Sequence, residues 1–115
     1  MQLTNNTTMN KETITMQEVA NDGQSIFLYY DPMAGVYAAY GLSAYYVDMA
    51  TDTIISYSEA IGKPVVLLGR RQVLYLRQSL TKVEHTQKKY YKFRLRQKIG
   101  EAGYQRWAAK FVRDE

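Results

Sequence analysis

Residues 25 to 41, S-I-F-L-Y-Y-D-P-M-A-G-V-Y-A-A-Y-G, predict a β-hairpin. The apolar and aromatic residues on both sides of D-P-M-A-G are those that a pleated sheet surface prefers. Pro32 suits the second position of a turn because its ring holds φ near the required value, and Gly35 accepts the left-handed conformation. This pair of strands indicates a fold that contains an antiparallel sheet.

The apolar spacing after the hairpin favours a short helix from about residue 43 to 51, which Ser43 is able to cap. A strand over the same residues is the alternative. Before the hairpin, residues 13 to 19 give a weak strand signal. The positions that set the helical spacing are Leu42, Tyr45, Tyr46 and Met49.

The rest of the chain continues to alternate between strand and helix patterns. T-I-I-S-Y (residues 53–57) and P-V-V-L-L-G (64–69) predict two strands, the second one buried. R-R-Q-V-L-Y-L-R-Q-S-L (70–80) has helical spacing, and residues 86 to 98 alternate with the period of two that is typical of a strand. An amphipathic helix is predicted after Gly100.

These patterns predict one α+β domain, with a mixed, largely antiparallel sheet and two or three helices packed on it. A chain of 115 residues suits a single domain. We place the domain at residues 13–115 and a flexible polar tail at residues 1–12. No internal repeat, linker or low-complexity segment divides the chain.

Several classes of function are disfavoured by what the sequence lacks. The chain has no cysteine and a single histidine, His85, which argues against disulfides, thiolate chemistry and a histidine-rich metal site. Asp48 and Asp52 have the spacing to share a magnesium ion on a helix, but a solvated acidic face is the expected arrangement. No P-loop, nuclease or triad motif is found, so we expect neither an enzyme, a cofactor nor a metal.

The sequence also carries no pattern that predicts contact with a membrane. The first ten residues lack the basic start and apolar core of a secretory signal. The longest apolar runs, such as residues 65–68, are too short to cross a bilayer. We therefore expect a cytoplasmic protein.

Charge is distributed very unevenly along the chain. Residues 1–62 hold one basic and seven acidic residues, a net charge of −6, whereas residues 63–115 hold fourteen basic and four acidic residues, a net charge of +10. Such a division predicts either a basic surface for an acidic partner or an internal pairing of the two halves.

The basic charge is densest in K-K-Y-Y-K-F-R-L-R-Q-K, residues 88 to 98. In a strand, Tyr91, Phe93 and Leu95 face the core, while the basic residues share the other face at intervals of about 6–7 Å. That face suits the phosphates of a nucleic acid, and a tyrosine on it can stack on a base. The alternatives are an edge strand kept soluble by its charges and a strand paired with the acidic half. The predicted nucleic-acid-binding residues are Lys88, Tyr90, Lys92, Arg94, Arg96 and Lys98, extended by Arg70, Arg71 and Arg77.

Tyrosine is unusually frequent, with eleven in the chain and adjacent pairs at residues 29–30, 45–46 and 90–91. Tyrosines serve as stacking platforms, but they also line half-buried sheets and subunit contacts. We favour structural or interface roles for them. The second functional prediction is therefore a protein–protein interaction or structural subunit, such as a homo-oligomer joined by tyrosine-rich surfaces.

Residues 26–47, which follow the pattern strand, turn, strand and helix, resemble the opening of the MutS N-terminal mismatch-recognition domain; they read I-F-L-Y-Y-D-P-M-A-G-V-Y-A-A-Y-G-L-S-A-Y-Y-V. The resemblance extends to residue 80 through the later strand, its glycine and the following helix. In that family a Phe-x-Glu motif contacts the mispaired base, but Val36 and Ala38 stand at those positions here. The resemblance implies a similar fold and proximity to DNA, without mismatch reading.

Overall fold

The computed structural model describes residues 11–51, 53–86, 90–95 and 97–111, and of residues 81–86 and Tyr90 it describes the backbone alone. The elements in chain order are α1 (Lys11–Val19), β1 (Ser25–Asp31), β2 (Val36–Tyr40), α2 (Leu42–Ala50), β3 (Ile54–Ser58), β4 (Lys63–Leu68), α3 (Arg70–Ser79), β5 (Thr81–Thr86), β6 (Tyr90–Arg94) and α4 (Glu101–Ala109).

The strands form one six-stranded sheet in the order β3-β4-β2-β1-β6-β5, and each neighbouring pair is antiparallel. The predicted hairpin is confirmed: Tyr30 lies opposite Tyr37, and the N–H of Gly35 donates to the carbonyl of Asp31 at 2.8 Å. The α+β class is confirmed as well. The sheet is antiparallel throughout rather than mixed, and the described residues form four helices instead of two or three.

One face of the sheet, the inner face, carries the main core. Ile26, Leu28 and Phe93 on β1 and β6 have no exposed surface, and α2, α3 and α4 cover them with Val47, Leu76 and Trp107 among others. Burying each large apolar side chain stabilises the fold by roughly 1.5–3 kcal/mol. The inner face therefore supplies most of the hydrophobic stabilisation.

The opposite face, the outer face, is partly covered by α1. Ile14 packs against Phe27 and Tyr29 in a second cluster, and the hydroxyl of Tyr29 donates to Oε1 of Gln17 at 2.7 Å. The strand predicted for residues 13–19 is wrong. Ile14 and Glu18 are both buried and stand four residues apart, which is a helical spacing.

The prediction that Ser43 caps α2 is also wrong. Gly41 is the N-cap, with φ at +60°, and no side chain caps this helix end. Ser43 instead joins three elements, because its Oγ accepts from the N–H of Phe27 at 3.0 Å and donates to Oε2 of Glu18 at 2.9 Å. The register of β1 with β2 begins only at Tyr29, so Phe27 has a partner on β6 but none on β2, and Ser43 satisfies its N–H.

Of the strand predicted from residue 86 to 98, residues 90–94 form β6, Thr86 is the last residue of β5, and Leu95, Gln97 and Lys98 are not in a strand. The predicted tail lies outside the described residues up to residue 10, while Lys11 and Glu12 begin α1. None of the helices in the described ranges is both long and apolar enough to cross a membrane.

Candidate functional site

Strand β6 separates apolar from basic side chains, as the alternation predicts. Phe93 is fully buried in the inner-face core and Leu95 is nearly so. Lys92 and Arg94 consequently lie on the outer face, where Lys92 is half-buried and Arg94 exposed. Two basic side chains are therefore held on a strand that the core anchors.

The structure describes the side chain of one further residue predicted for this strand face, Lys98, and Lys98 is not on β6. Lys98 is exposed but follows the end of β6 and lies beside Ile99, so the regular spacing along a strand does not reach it. Lys88 and Arg96 lie outside the described residues, as does the side chain of Tyr90.

Lys92 and Arg94 border a hollow of about 340 Å³ on the outer face. The ammonium group of Lys92 lies over the Phe27 ring, 5.6 Å from its centre, which is within the range of a cation–π interaction. Asp22 also borders the hollow, and its Oδ1 accepts from the N–H of Gln24 at 3.0 Å. Among the described residues that line this hollow, Lys92 and Arg94 are basic and Asp22 is acidic.

The arginines of α3 lie on the other side of the sheet from Lys92. Cζ of Arg77 is 5.8 Å from the centre of the Tyr91 ring, and Tyr91 packs against the inner-face core. Since Tyr91 and Lys92 are consecutive strand residues, they point to opposite faces. The structure therefore does not join Arg70 and Arg77 to Lys92 and Arg94 in one patch.

Arg70 and Arg77 instead border a groove with three tyrosines. We define the tyrosine–arginine groove as the hollow of about 530 Å³ that is lined by Tyr30, Tyr37, Tyr91, Arg70 and Arg77 together with Gly35, Val73 and Leu74. The ring centres of Tyr30 and Tyr37 are 5.1 Å apart, and those of Tyr37 and Tyr91 are 5.4 Å apart. β1, β2 and β6 thus each contribute one aromatic ring to a row that lies beside α3. Arg71 is exposed and does not line the groove.

The charge of the groove at neutral pH is positive. Burial, together with a hydrogen bond with Tyr91, raises the pKa of Tyr37 to about 12, although the charge of Arg77 lowers it in part. Tyr37 is therefore a neutral phenol at neutral pH, and the guanidinium groups carry the local charge. None of the described residues that line the groove is acidic.

Sequence reasoning missed this groove although it predicted the hairpin that forms half of it. Asp31 pairs with Val36, so the turn is the four residues 32–35 and Tyr30 lies opposite Tyr37, whereas a five-residue D-P-M-A-G turn would have placed Tyr30 opposite Val36. The approach of Arg77 and Tyr91 depends on tertiary packing, which no local pattern reveals.

Both tyrosines of the pair at residues 45–46 pack against the inner-face core, and Tyr45 also contacts α4. The ring centre of Tyr45 lies 6.0 Å from that of Tyr104 and 5.5 Å from that of Trp107. Asp48 accepts from Nε1 of Trp107 at 2.8 Å, so this carboxylate fixes α4 against α2. Asp52 lies outside the described residues, and within the described ranges no three side chains of metal-ligating type are grouped together.

Comparison of the chain with protein-family models, with curated proteins and with solved structures finds no match. The resemblance to the MutS mismatch-recognition domain thus stays a prediction. In the structure, Val36 is half-buried and Ala38 is buried on β2 beside Tyr29.

Proposed function

We propose that the protein is a non-enzymatic nucleic-acid-associated module that binds the phosphate backbone through the outer face of β6. The observation that carries the proposal is the division of β6 between core and surface: Phe93 and Leu95 are buried, so Lys92 and Arg94 are held on the outer face. A basic side chain on an anchored strand loses less conformational freedom on binding than one in a mobile segment.

The chemistry of these groups favours phosphate as the ligand. The lysine ammonium and the arginine guanidinium both donate charge-assisted hydrogen bonds to phosphate oxygens. Contacts of this kind position a nucleic acid without reading its bases, so the binding is weakly sequence-specific and salt-dependent. The net charge of +10 in residues 63–115 supports the same partner, since it attracts polyanions before contact is made.

The test is a charge reversal on β6. We expect the double variant Lys92→Glu, Arg94→Glu to lose most of its affinity for a fluorescently labelled duplex and for a single-stranded oligonucleotide at about 50 mM salt, where backbone contacts are strong. The matched control is Arg106→Glu, Lys110→Glu, which makes the same change in net charge at two exposed positions at the end of α4. Equal losses in the two double variants would reduce the effect to net charge and contradict a site on β6.

A second candidate function is that of a self-associating subunit, and the edge strand β3 favours it. β3, I-I-S-Y-S, carries no charged residue and pairs with β4 alone among the described strands. Ile54 is 73% exposed and Leu67, opposite it on β4, is 38% exposed, so an apolar surface adjoins the open edge. An uncharged edge of this kind is able to pair with the same edge of a second copy about a two-fold axis.

Light scattering on the purified protein tests the subunit function. A dimer that Ile54→Lys converts to a monomer supports it, with Met33→Lys as the control because Met33 is 93% exposed and belongs to the hairpin turn rather than to β3. A wild-type protein that is monomeric at every accessible concentration rules it out. Tyr45 is unsuitable for this test, since its contacts with Tyr104 and Trp107 would be lost together with any interface.

A further inference from the structure

We infer that the tyrosine–arginine groove is a binding site for an unpaired base of single-stranded nucleic acid, with the flanking phosphates held by Arg70 and Arg77. The inference deepens the proposed nucleic-acid function and rests on it. It assigns the protein a preference for single strands that the outer face of β6 does not provide.

The rings of the groove are placed to receive a planar ligand. Tyr30, Tyr37 and Tyr91 are each half-buried, so each ring is fixed by its neighbours and keeps part of its surface accessible. Tyrosine rings on a sheet serve as stacking platforms for bases, because every base has a π-face. The volume of about 530 Å³ lies within the range of about 300–1,000 Å³ that is usual for small-molecule sites.

The arginines are placed for phosphates on either side of such a base. Arg70, Val73, Leu74 and Arg77 all line the groove and recur at intervals of three and four residues, so they lie on one side of α3. Seven residues of helix separate the two arginines by about 10 Å along the axis. The guanidinium of Arg77 also lies over the Tyr91 ring, which orients it along the groove.

A duplex is a poor ligand for this groove. In a double helix each base is covered above and below by its neighbours, so its faces are not available to a protein ring. Only a base that has left the stack, or one in a single strand, presents a face to Tyr30 and Tyr37. The outer-face residues Lys92 and Arg94 contact phosphates alone and make no such distinction.

The test compares ring removal with ring retention at one position. Tyr30→Leu removes the aromatic ring and keeps an apolar side chain, while Tyr30→Phe keeps the ring. We expect Tyr30→Leu to weaken binding of a single-stranded oligonucleotide about tenfold, with Tyr30→Phe close to wild type and duplex binding unchanged in both. Tyr75→Leu, at an exposed position of α3 outside the groove, should leave both affinities unaltered.

Two further readouts keep the test independent of folding. An oligonucleotide that carries 2-aminopurine should lose fluorescence on binding to the wild type and to Tyr30→Phe, because stacking on an aromatic ring quenches this base, and not on binding to Tyr30→Leu. Arg77→Gln should reduce the slope of log affinity against log salt for the single strand by about 0.7, the value for one phosphate contact. Far-UV circular dichroism of each variant confirms that it is folded.

The outcomes separate the two proposals. Absence of binding to duplex and single strand alike would overturn the proposed function and the inference with it. Binding of both forms that is insensitive to Tyr30→Leu and Arg77→Gln would overturn the inference alone. An acidic or tyrosine-phosphorylated peptide that binds in an Arg77-dependent manner, while single-stranded binding is unaffected by the groove variants, would assign the groove to a protein partner instead.

Discussion

Glu18 is expected to make the protein less stable as pH rises through neutrality. Its side chain is only 6% exposed, and burial raises its pKa from the ordinary value of 4.5 to about 7, although the hydrogen bond from Ser43 and the charge of Lys63 lower it in part. Oε1 has no hydrogen-bond partner among the described residues. The protein therefore favours the neutral carboxyl at this position.

The sign and size of the effect follow from linkage. Because the pKa of Glu18 is higher in the folded than in the unfolded chain, the folded state binds the proton more tightly. The resulting stabilisation is complete below about pH 4.5 and is lost as pH rises through about 7. A shift of this size corresponds to about 3 kcal/mol, at about 1.4 kcal/mol for each pH unit.

Glu18→Gln keeps the shape of the side chain and removes the titration. Urea denaturation of both proteins between about pH 4.5 and 8 should show free energies of unfolding that diverge by up to about 3 kcal/mol, with the variant more stable at the upper end. The other ionisable groups are common to both proteins and cancel in the difference. Glu12→Gln, at an exposed position of the same helix, is the matched control. Parallel curves for wild type and Glu18→Gln would refute the reasoning.

Two further predictions concern the packing of α2. Asp48→Ala removes the acceptor of the Trp107 indole N–H. It should lower the free energy of unfolding by about 1.5–3 kcal/mol, the usual contribution of a hydrogen bond to a charged group. Urea denaturation followed by circular dichroism measures the change, and a loss below about 0.5 kcal/mol would contradict a stabilising bond. Gly41→Ala should cost more than Gly35→Ala in thermal denaturation for two reasons: Gly41 combines a φ of +60° with a ψ of −127°, which lies outside the left-handed helical region, and a Cβ at residue 41 meets Cδ of Lys63 at 3.1 Å, whereas a Cβ at residue 35 meets no atom within 4 Å. Equal costs would contradict this account of Gly41.

Much of the fold follows from the sequence because local and tertiary preferences agree. The hairpin of β1 and β2 is specified by its turn chemistry, and α3 and α4 by apolar residues at helical spacing, of which Val73, Leu76 and Trp107 are buried. Where the two levels disagree, prediction failed. T-I-T-M at residues 13–16 alternates as a strand does, but packing Ile14 and Glu18 together requires a helix.

The edge strand β5 was missed for a related reason. T-K-V-E-H-T contains one aliphatic residue, Val83, so its sequence has little of the apolar content by which strands are predicted. β5 is a strand because it pairs with β6, and a pattern within residues 81–86 cannot reveal a pairing with another segment.

The candidate site was predicted in part. The alternation of residues 91–95 correctly separates Phe93 from Lys92 and Arg94. The alternation within β6 cannot show that α3 packs on the inner face. Because α3 lies there, Arg70 and Arg77 are near Tyr30 and Tyr37 and not near Lys92 and Arg94. Residues far apart in the chain meet there through packing alone.

The salt dependence of single-stranded oligonucleotide binding tests the central claim most directly. With two phosphate contacts on one face, either from Lys92 and Arg94 on the outer face or from Arg70 and Arg77 in the groove, the slope of log affinity against log salt should be about −1.4, at about −0.7 for each contact, and the affinity should fall about sevenfold between about 50 and 200 mM salt. A slope near zero, or no binding at about 50 mM salt, would contradict a role in nucleic-acid binding.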